Sequence, residues 1–489
     1  MDKYLLSDSH EWSGHWWLPS APDDRVAGVL SFEPDDGLTL RLIGGWSIDY
    51  EEPTESVIVT ANRMPQAPLI HGVSRGELIT LADVFFTKME RFRVGHRGPA
   101  DSTIAHAETA LVGCHLDDAD STVFEGAIAT IENMSSWSRL SGMRSEVGRD
   151  DDGRRTSGIT NVQVGPLVAE IGDVTATLFH MLWLPQSEFT RWGTRESLRE
   201  TASLQITSGQ PRSLAGWTEE LRSAGDLISL CGLTACGLLS IRLLLPATPE
   251  RYREGDPRAS VRNEVYVVQK RITQPNPTAS ALEARHFVVT LDDFDFETLM
   301  QRWFEVRETF SAARGMILGL KYVPGGYVET QLIAAVAAAE SMHRALAPAS
   351  PIDDDKYRRL RKLLVDATPP ELVTWVRDRL PRNEPSLKDR LLDLARRPGE
   401  FMSTLVPDAE KWARAARTSR DQLAHTGETK AQSVEQMAAV SEVTAAVVAL
   451  NLLFELGAPI DALAEALSAQ PDLRIACDFG QENFSSETG

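Results

Sequence analysis

The stretch ARAARTSRDQLAHTG, residues 413–427, holds the residue types in this chain best suited to chemistry. At its centre Arg420 is followed by Asp421 and, five positions on, by His425. A guanidinium can grip a phosphate through two parallel hydrogen bonds, and an imidazole can move protons near neutral pH. Together they suffice for metal-free RNA cleavage. The ribose 2′-OH attacks the adjacent phosphorus, His425 assists proton transfer, and Arg420 stabilises charge on the phosphoryl oxygens. The 2′-OH is the nucleophile, so none is required from the protein and DNA would not react. Ser419 and Gln422 have the S-x-x-Q spacing of a capping box, which predicts a helix starting at Arg420 and sets that residue beside unpaired backbone N–H groups that favour anions. Lys411, Arg414 and Arg417 precede the motif and either extend a phosphate-binding face or are plain solvated helix residues. The plain alternative is a surface arginine and a half-buried histidine, because the R-x4-H spacing also arises by chance in long chains.

The elements that must position these residues follow from hydrophobic period. Up to about residue 290 the chain reads as strands. Val29–Phe32 and Leu38–Leu42 flank a PDDG turn, with Leu38, Leu40 and Leu42 alternating with Thr39 and Arg41. Further runs are SVIVT (56–60), 77–86, 109–116, 176–185, 265–269 and 286–291, punctuated by Gly, Pro and Asp as in a sandwich or barrel. The tryptophans of GHWWLP (14–19) are expected to pack this core or cap its open end, while GRDDDGRR (148–155) and QPNPTAS (274–280) read as loops. From Phe296 the apolar spacing becomes three to four, predicting helices near 296–318, 327–347, 353–367, 370–380, 385–396, 408–417, 419–428 and 432–456. The fold class is therefore α+β: a β-rich N-terminal domain over 1–290, an all-α helical bundle over 291–480 and a mobile tail over 481–489.

Other chemistry finds little support. Walker, strand-linked GxGxxG and HExxH motifs are missing, and Asp118, Asp120 and Thr122 mimic the start of a calcium loop that lacks its sixth-position glycine. Cys231 and Cys236 have the wrong spacing for a CxxC pair, and four cysteines are too few for a disulfide scaffold. Neither metal nor cofactor is called for. The glycines of KYVPGGYV (321–328) read as a turn before a helix. Leu227–Leu245 is mostly apolar but carries Arg242 and is too short to span a bilayer, so it reads as a packed helix followed by a buried strand.

The net charge of −20 argues against a general nucleic-acid coat protein, and the acidic, polar start MDKYLLSDSHEW argues against a signal peptide. A cytoplasmic protein without membrane contact is expected. The charge is uneven: residues 351–430 carry 17 Lys+Arg against 14 Asp+Glu, whereas 431–489 carry 1 against 9. A local basic stretch in an acidic chain can still hold an anion.

RDQLAH in a helical C-terminal domain resembles the HEPN superfamily, whose signature is Arg, a polar residue that is often Asn, three residues and His. YVETQLIAAVAAAESMHRAL (327–346), with Glu340 and His343, is similar to the long helix of ApeA-like HEPN domains. GHWWLP, the AGVLSF strand and HGVSRGELITLADVFF (71–86) resemble the N-terminal domain joined to that module in ApeA-type anti-phage proteins. The resemblance implies an endoribonuclease effector of abortive infection, with Arg420, His425 and Asp421 catalytic and Lys411, Arg414 and Arg417 binding RNA. It also implies a homodimer through the helical domain, with both motifs lining one cleft, and a β domain that answers a phage-derived trigger. Asp421 stands where Asn is commonest. Glu340 and His343 either lie near the same cleft or pack between helices, packing being the expected role. The alternative is a non-catalytic module that only dimerises and binds a ligand or protein. A third reading, in which the helical domain modifies or is modified by a partner enzyme, would need a separate protein.

Overall fold

The tryptophan-rich start of the chain forms strand β1 (His10–Trp17), which pairs with β2 (Val26–Glu33), itself paired with β3 (Gly37–Leu42). The computed structural model describes residues 3–46, 66–90, 102–248, 261–270, 273, 281–323, 325–380, 382–426 and 432–485; the side chains of 66–68, 89, 90, 425 and 426 are outside that set. The strand expected at 56–60 and the loop expected at 274–280 lie outside the described residues.

Leu38, Leu40 and Leu42 are buried, as their alternation demands, and Leu30 and Phe32 face the same core from β2. Next come β4 (Gln66–Ser74), β5 (Glu77–Glu90) and β6 (Ser102–Val112). β1 also pairs with β4, β4 with β5, and β5 with β6. β3 pairs with residues 103–107 of β6, so six antiparallel strands close into a barrel. Closure leaves those strands without free edges. Trp16, fully buried, lies against Gly72 on β4, where a Cβ would collide with the indole. The expected core role of GHWWLP is thus realised.

Beyond the barrel the sheet continues through β7 (Phe124–Ile131), β10 (Leu167–Ile171), β11 (Val174–Thr190), β12 (Gly193–Arg212), β13 (Leu238–Ala247) and β14 (Arg262–Gln269), in spatial order β6-β14-β13-β7-β12-β11-β10. Between β7 and β10 lie a short helix α1 (Met134–Ser138) and the hairpin of β8 (Met143–Arg149) and β9 (Arg155–Asn161). The loop read at 148–155 is this hairpin's turn, held by Asp150 Oδ1, which accepts from the N–H groups of Asp152 and Arg154. The apolar run at 227–245 falls in helix α2 (Leu214–Gly232) and β13, where Arg242 meets Glu264 at 3.0 Å. Residues 286–291 are not a strand. They form single 3-10 turns, Ala284–His286 and Leu291–Asp293, on either side of an extended link.

The second half is helical: α3 (Phe296–Thr309), α4 (Ser311–Tyr322), α5 (Val328–Ala345), α6 (Asp354–Asp366), α7 (Val373–Arg379), α8 (Leu387–Arg396), α9 (Met402–Leu405), α10 (Ala409–Thr426), α11 (Val434–Glu455), α12 (Ile460–Ala469) and α13 (Pro471–Phe484). α11 is apolar on all sides because it is the bundle's centre, packed by α4, α5, α8, α10 and α13. It is long and apolar enough to cross a membrane, but 78% of that stretch is buried inside the protein. Gly325 and Gly326, at φ 95° and 97°, form the turn before α5. The helix expected over 296–318 breaks at Phe310, whose φ of −110° leaves the helical range. The tail expected from 481 begins inside α13, whose Phe484 is buried. The chain divides into two compact units, the first mainly Met1–Ser229 with Ala235–Leu282, the second mainly Arg302–Gly489.

Candidate active site on helix α10

The expected break between helices at 417–419 does not occur. α10 runs unbroken from Ala409 to Thr426, so Ser419 sits in its middle. The helix starts one residue after Asp408, whose Oδ1 accepts from the Lys411 N–H at 2.9 Å. Ser419 is fully buried and its hydroxyl donates back to the Ala415 carbonyl at 2.7 Å, with Gln432 Oε1 also within hydrogen-bond reach. A hydroxyl so committed cannot cap a helix, and the proposed anion site on free N–H groups at Arg420 falls away. Trp412, Ala413, Ala416, Ser419 and Leu423 form the buried stripe of α10, and the Trp412 indole N–H donates to Thr444 on α11.

Arg420 lies at the edge of that stripe, 40% exposed, between two carboxylates. Its Nη1 donates to Asp421 Oδ1 at 3.2 Å, and its Nη2 lies 3.8 Å from Glu340 Oε2 on α5. Glu340 also accepts from Arg344 at 2.9 Å, and Asp421 Oδ2 lies 3.6 Å from Arg417 Nε. The result is an alternating row, Arg344–Glu340–Arg420–Asp421–Arg417, in which three cations meet two anions. Among the described residues the row is thus cationic by one charge. All five side chains reach solvent, so each pair is worth little to stability.

The other candidate residues are placed as follows. Arg417 joins the row through Asp421. Lys411 and Arg414 are not drawn to Arg420: Lys411 Nζ donates to the Ser485 carbonyl at 3.1 Å, and Arg414 Nε to the Glu410 carbonyl at 3.2 Å. Lys411 also precedes Arg420 by nine positions, about 14 Å of helix. Position 425 is in α10, but its side chain is outside the described residues. Five helical positions separate it from Arg420 by about 7.5 Å along the axis and about 140° around it. Of the two roles open to Glu340, packing between helices or lying near the motif, the structure shows the second: its carboxylate faces Arg420. No signal in the sequence marks that pairing, because the partners lie 80 positions apart. His343 does pack: it is 2% exposed, with Nε2 3.1 Å from Asp393 Oδ2 on α8. Burial holds its pKa below the ordinary value of 6.5, against the pull of Asp393.

A cavity of about 60 Å³ among α4, α5, α11 and α13, edged by the Lys321–Asp472 pair, is lined by no residue of α10 and is too small for a nucleotide. Among the described residues no three His, Cys, Asp or Glu side chains cluster so as to hold a metal ion. Cys114 and Cys236 are buried, with thiols pushed up to about 12 by desolvation, and are core residues.

Comparison with known protein families adds two matches. Residues 11–303 match the ApeA N-terminal domain 1, and residues 333–461 match the Apea-like HEPN domain. The chain belongs to the ApeA-like HEPN family. The HEPN match contains α10 whole, with Glu340, Arg344, Arg417, Arg420 and Asp421. The β-rich region followed by helices is the arrangement expected from the sequence. The two domains together imply an anti-phage HEPN effector, and HEPN domains in general are nuclease-like, dimerise and bind RNA. No significant match was found among curated proteins or solved structures.

Proposed function

We propose that this protein is a metal-independent endoribonuclease acting as a cytoplasmic anti-phage effector, with α10 carrying the active site. The observation that carries the reading is the row centred on Arg420, cationic by one charge, on the same helix as His425. Arg420 would bind the scissile phosphate and offset charge developing on its oxygens. His425 would take the 2′-OH proton or return one to the leaving 5′-oxygen, giving 2′,3′-cyclic phosphate ends. Asp421 would orient Arg420, and Arg417 would extend the phosphate contact. Lys411 and Arg414, further back on α10, would meet flanking phosphates. The angular offset of 425 from Arg420 supports a site shared by two copies, each supplying one Arg and one His to a joint cleft. In this reading residues 1–290 form the regulatory domain that answers a phage-derived trigger and 291–480 the nuclease.

The test is cleavage of total cellular RNA by the purified chain in EDTA, wild type beside Arg420→Ala and His425→Ala. The expected result is cleavage by the wild type alone, with cyclic phosphate ends. Retained cleavage by His425→Ala in a folded protein would overturn the assignment. A second reading, a non-catalytic dimerising and binding module, draws support from the two carboxylates that hold Arg420. It expects intact RNA in every arm and no change in phage protection on either substitution.

A further inference from the structure

Helices α6 and α7 form an excursion with no core beneath it. Neither contains a buried residue, and their large apolar side chains Leu360, Leu363, Leu364 and Trp375 are all exposed, Leu363 by 66% and Trp375 by 57%, as is Leu372 just before α7. At 13 and 7 residues, both helices are short of what is stable alone in water, so a covering ligand would stabilise them. Their charge says what kind. Residues 356–365, KYRRLRKLLV, hold five cations and no carboxylate, within a chain of net charge −20. Arg358 is paired to Asp355, whereas Lys356, Arg359, Arg361 and Lys362 have no acidic partner among the described residues. Lys356, Arg359 and Lys362 follow one another at three-residue spacing, where like charges repel. Self-pairing of two copies through this helix would double that repulsion. A polyanion relieves it.

We infer that α6 and α7 form a docking surface for single-stranded RNA, feeding the strand to the nuclease of the same unit. The inference rests on the ribonuclease reading for its choice of polyanion. Single-strandedness follows from the mixture of charge and apolar surface. Unpaired bases can lie on Trp375 and the exposed leucines while Lys356, Arg359 and Lys362 meet phosphates; a duplex hides its bases and can use only the cations. Arg379 sits 5.3 Å from the Trp375 ring centroid, so the stacking platform already carries a cation.

The experiment measures anisotropy of a labelled 2′-O-methyl single strand of about sixteen nucleotides, the upper site size of such grooves. The methyl group blocks the attacking oxygen, so the full-length chain binds without turnover. The triple variant Lys356→Ala, Arg359→Ala, Lys362→Ala is expected to bind at least about tenfold more weakly at low salt. Its slope of log affinity against log salt should fall by about 2, since each lost single-strand contact removes about 0.7. Trp375→Ala should weaken the single strand and leave the matching duplex unchanged. Alanine favours helix, so α6 persists, which circular dichroism verifies. Unchanged affinity of the triple variant overturns the inference, as does tighter binding of phosphatidylglycerol vesicles than of the strand. If the triple variant binds normally while His425→Ala abolishes cleavage of ordinary RNA, the arm falls and the nuclease stands. If the triple variant loses binding while the wild type never cuts, the arm stands and the nuclease falls.

Discussion

Replacing Asp421 by Asn separates two roles of that residue. The amide keeps an acceptor for Arg420 Nη1, now 3.2 Å away, but removes the charge. A phosphate gripped by Arg420 would lie about 6 Å from the Asp421 carboxylate, where unit charges repel by about 0.7 kcal/mol at the dielectric of water and about 3 kcal/mol at an effective value near 20. Both side chains are about 40% exposed, which pulls the value towards the lower limit. Arg420 is also released from a surface ion pair worth well under 1 kcal/mol. The two effects have the same sign and together come to about 1 kcal/mol, a fivefold gain. Asp421→Asn is therefore expected to raise kcat/KM on RNA about fivefold at low salt. At about 1 M salt, where the screening length is about 3 Å, the gain should disappear. The assay is initial-rate cleavage of a fluorogenic oligoribonucleotide in EDTA across a salt series, with Arg420→Ala as the inactive control. A loss greater than about tenfold, independent of salt, would refute the reasoning and make the Asp421 charge essential to positioning Arg420.

Other expectations concern stability. Trp412→Ala removes a fully buried indole and its contact to Thr444, and should cost about 3–5 kcal/mol, with Trp412→Phe milder, read by urea unfolding. Gly72→Ala drives a methyl into the Trp16 ring and should cost about 1–3 kcal/mol, seen as a lower Tm of the β unit. His343 is held below 6.5 when folded, so the unfolded chain binds its proton first as pH falls. Stability should be complete above about pH 6.5 and decline below it, and His343→Gln should flatten that decline in denaturation series near pH 7.5 and 5.5.

What could be read directly from the residues was local. The alternation at Leu38–Leu42, the helix-then-strand reading of 227–245, the turn at Gly325 and Gly326, and the spans of α5, α6 and α8 all depend on neighbours a few positions apart. Misreadings occurred where distant packing overrode a local signal. S-x-x-Q at 419–422 is a valid cap pattern, yet burying Ser419 among helices costs less than exposing the apolar stripe from Trp412 to Leu423. The run 286–291 has strand composition but meets no strand to pair with.

The identity and spacing of Arg420, Asp421 and His425 were written in the chain, as was the switch from a period of two to one near four. Tertiary structure alone decided that β5 returns to β6 and closes the barrel, and that α10 is one continuous helix. It also placed Glu340 against Arg420 across 80 positions and left α6 and α7 without a core. The reason is physical: propensity and period act over a turn or a strand, whereas charge pairing, burial and strand closure depend on which distant segments share the same space.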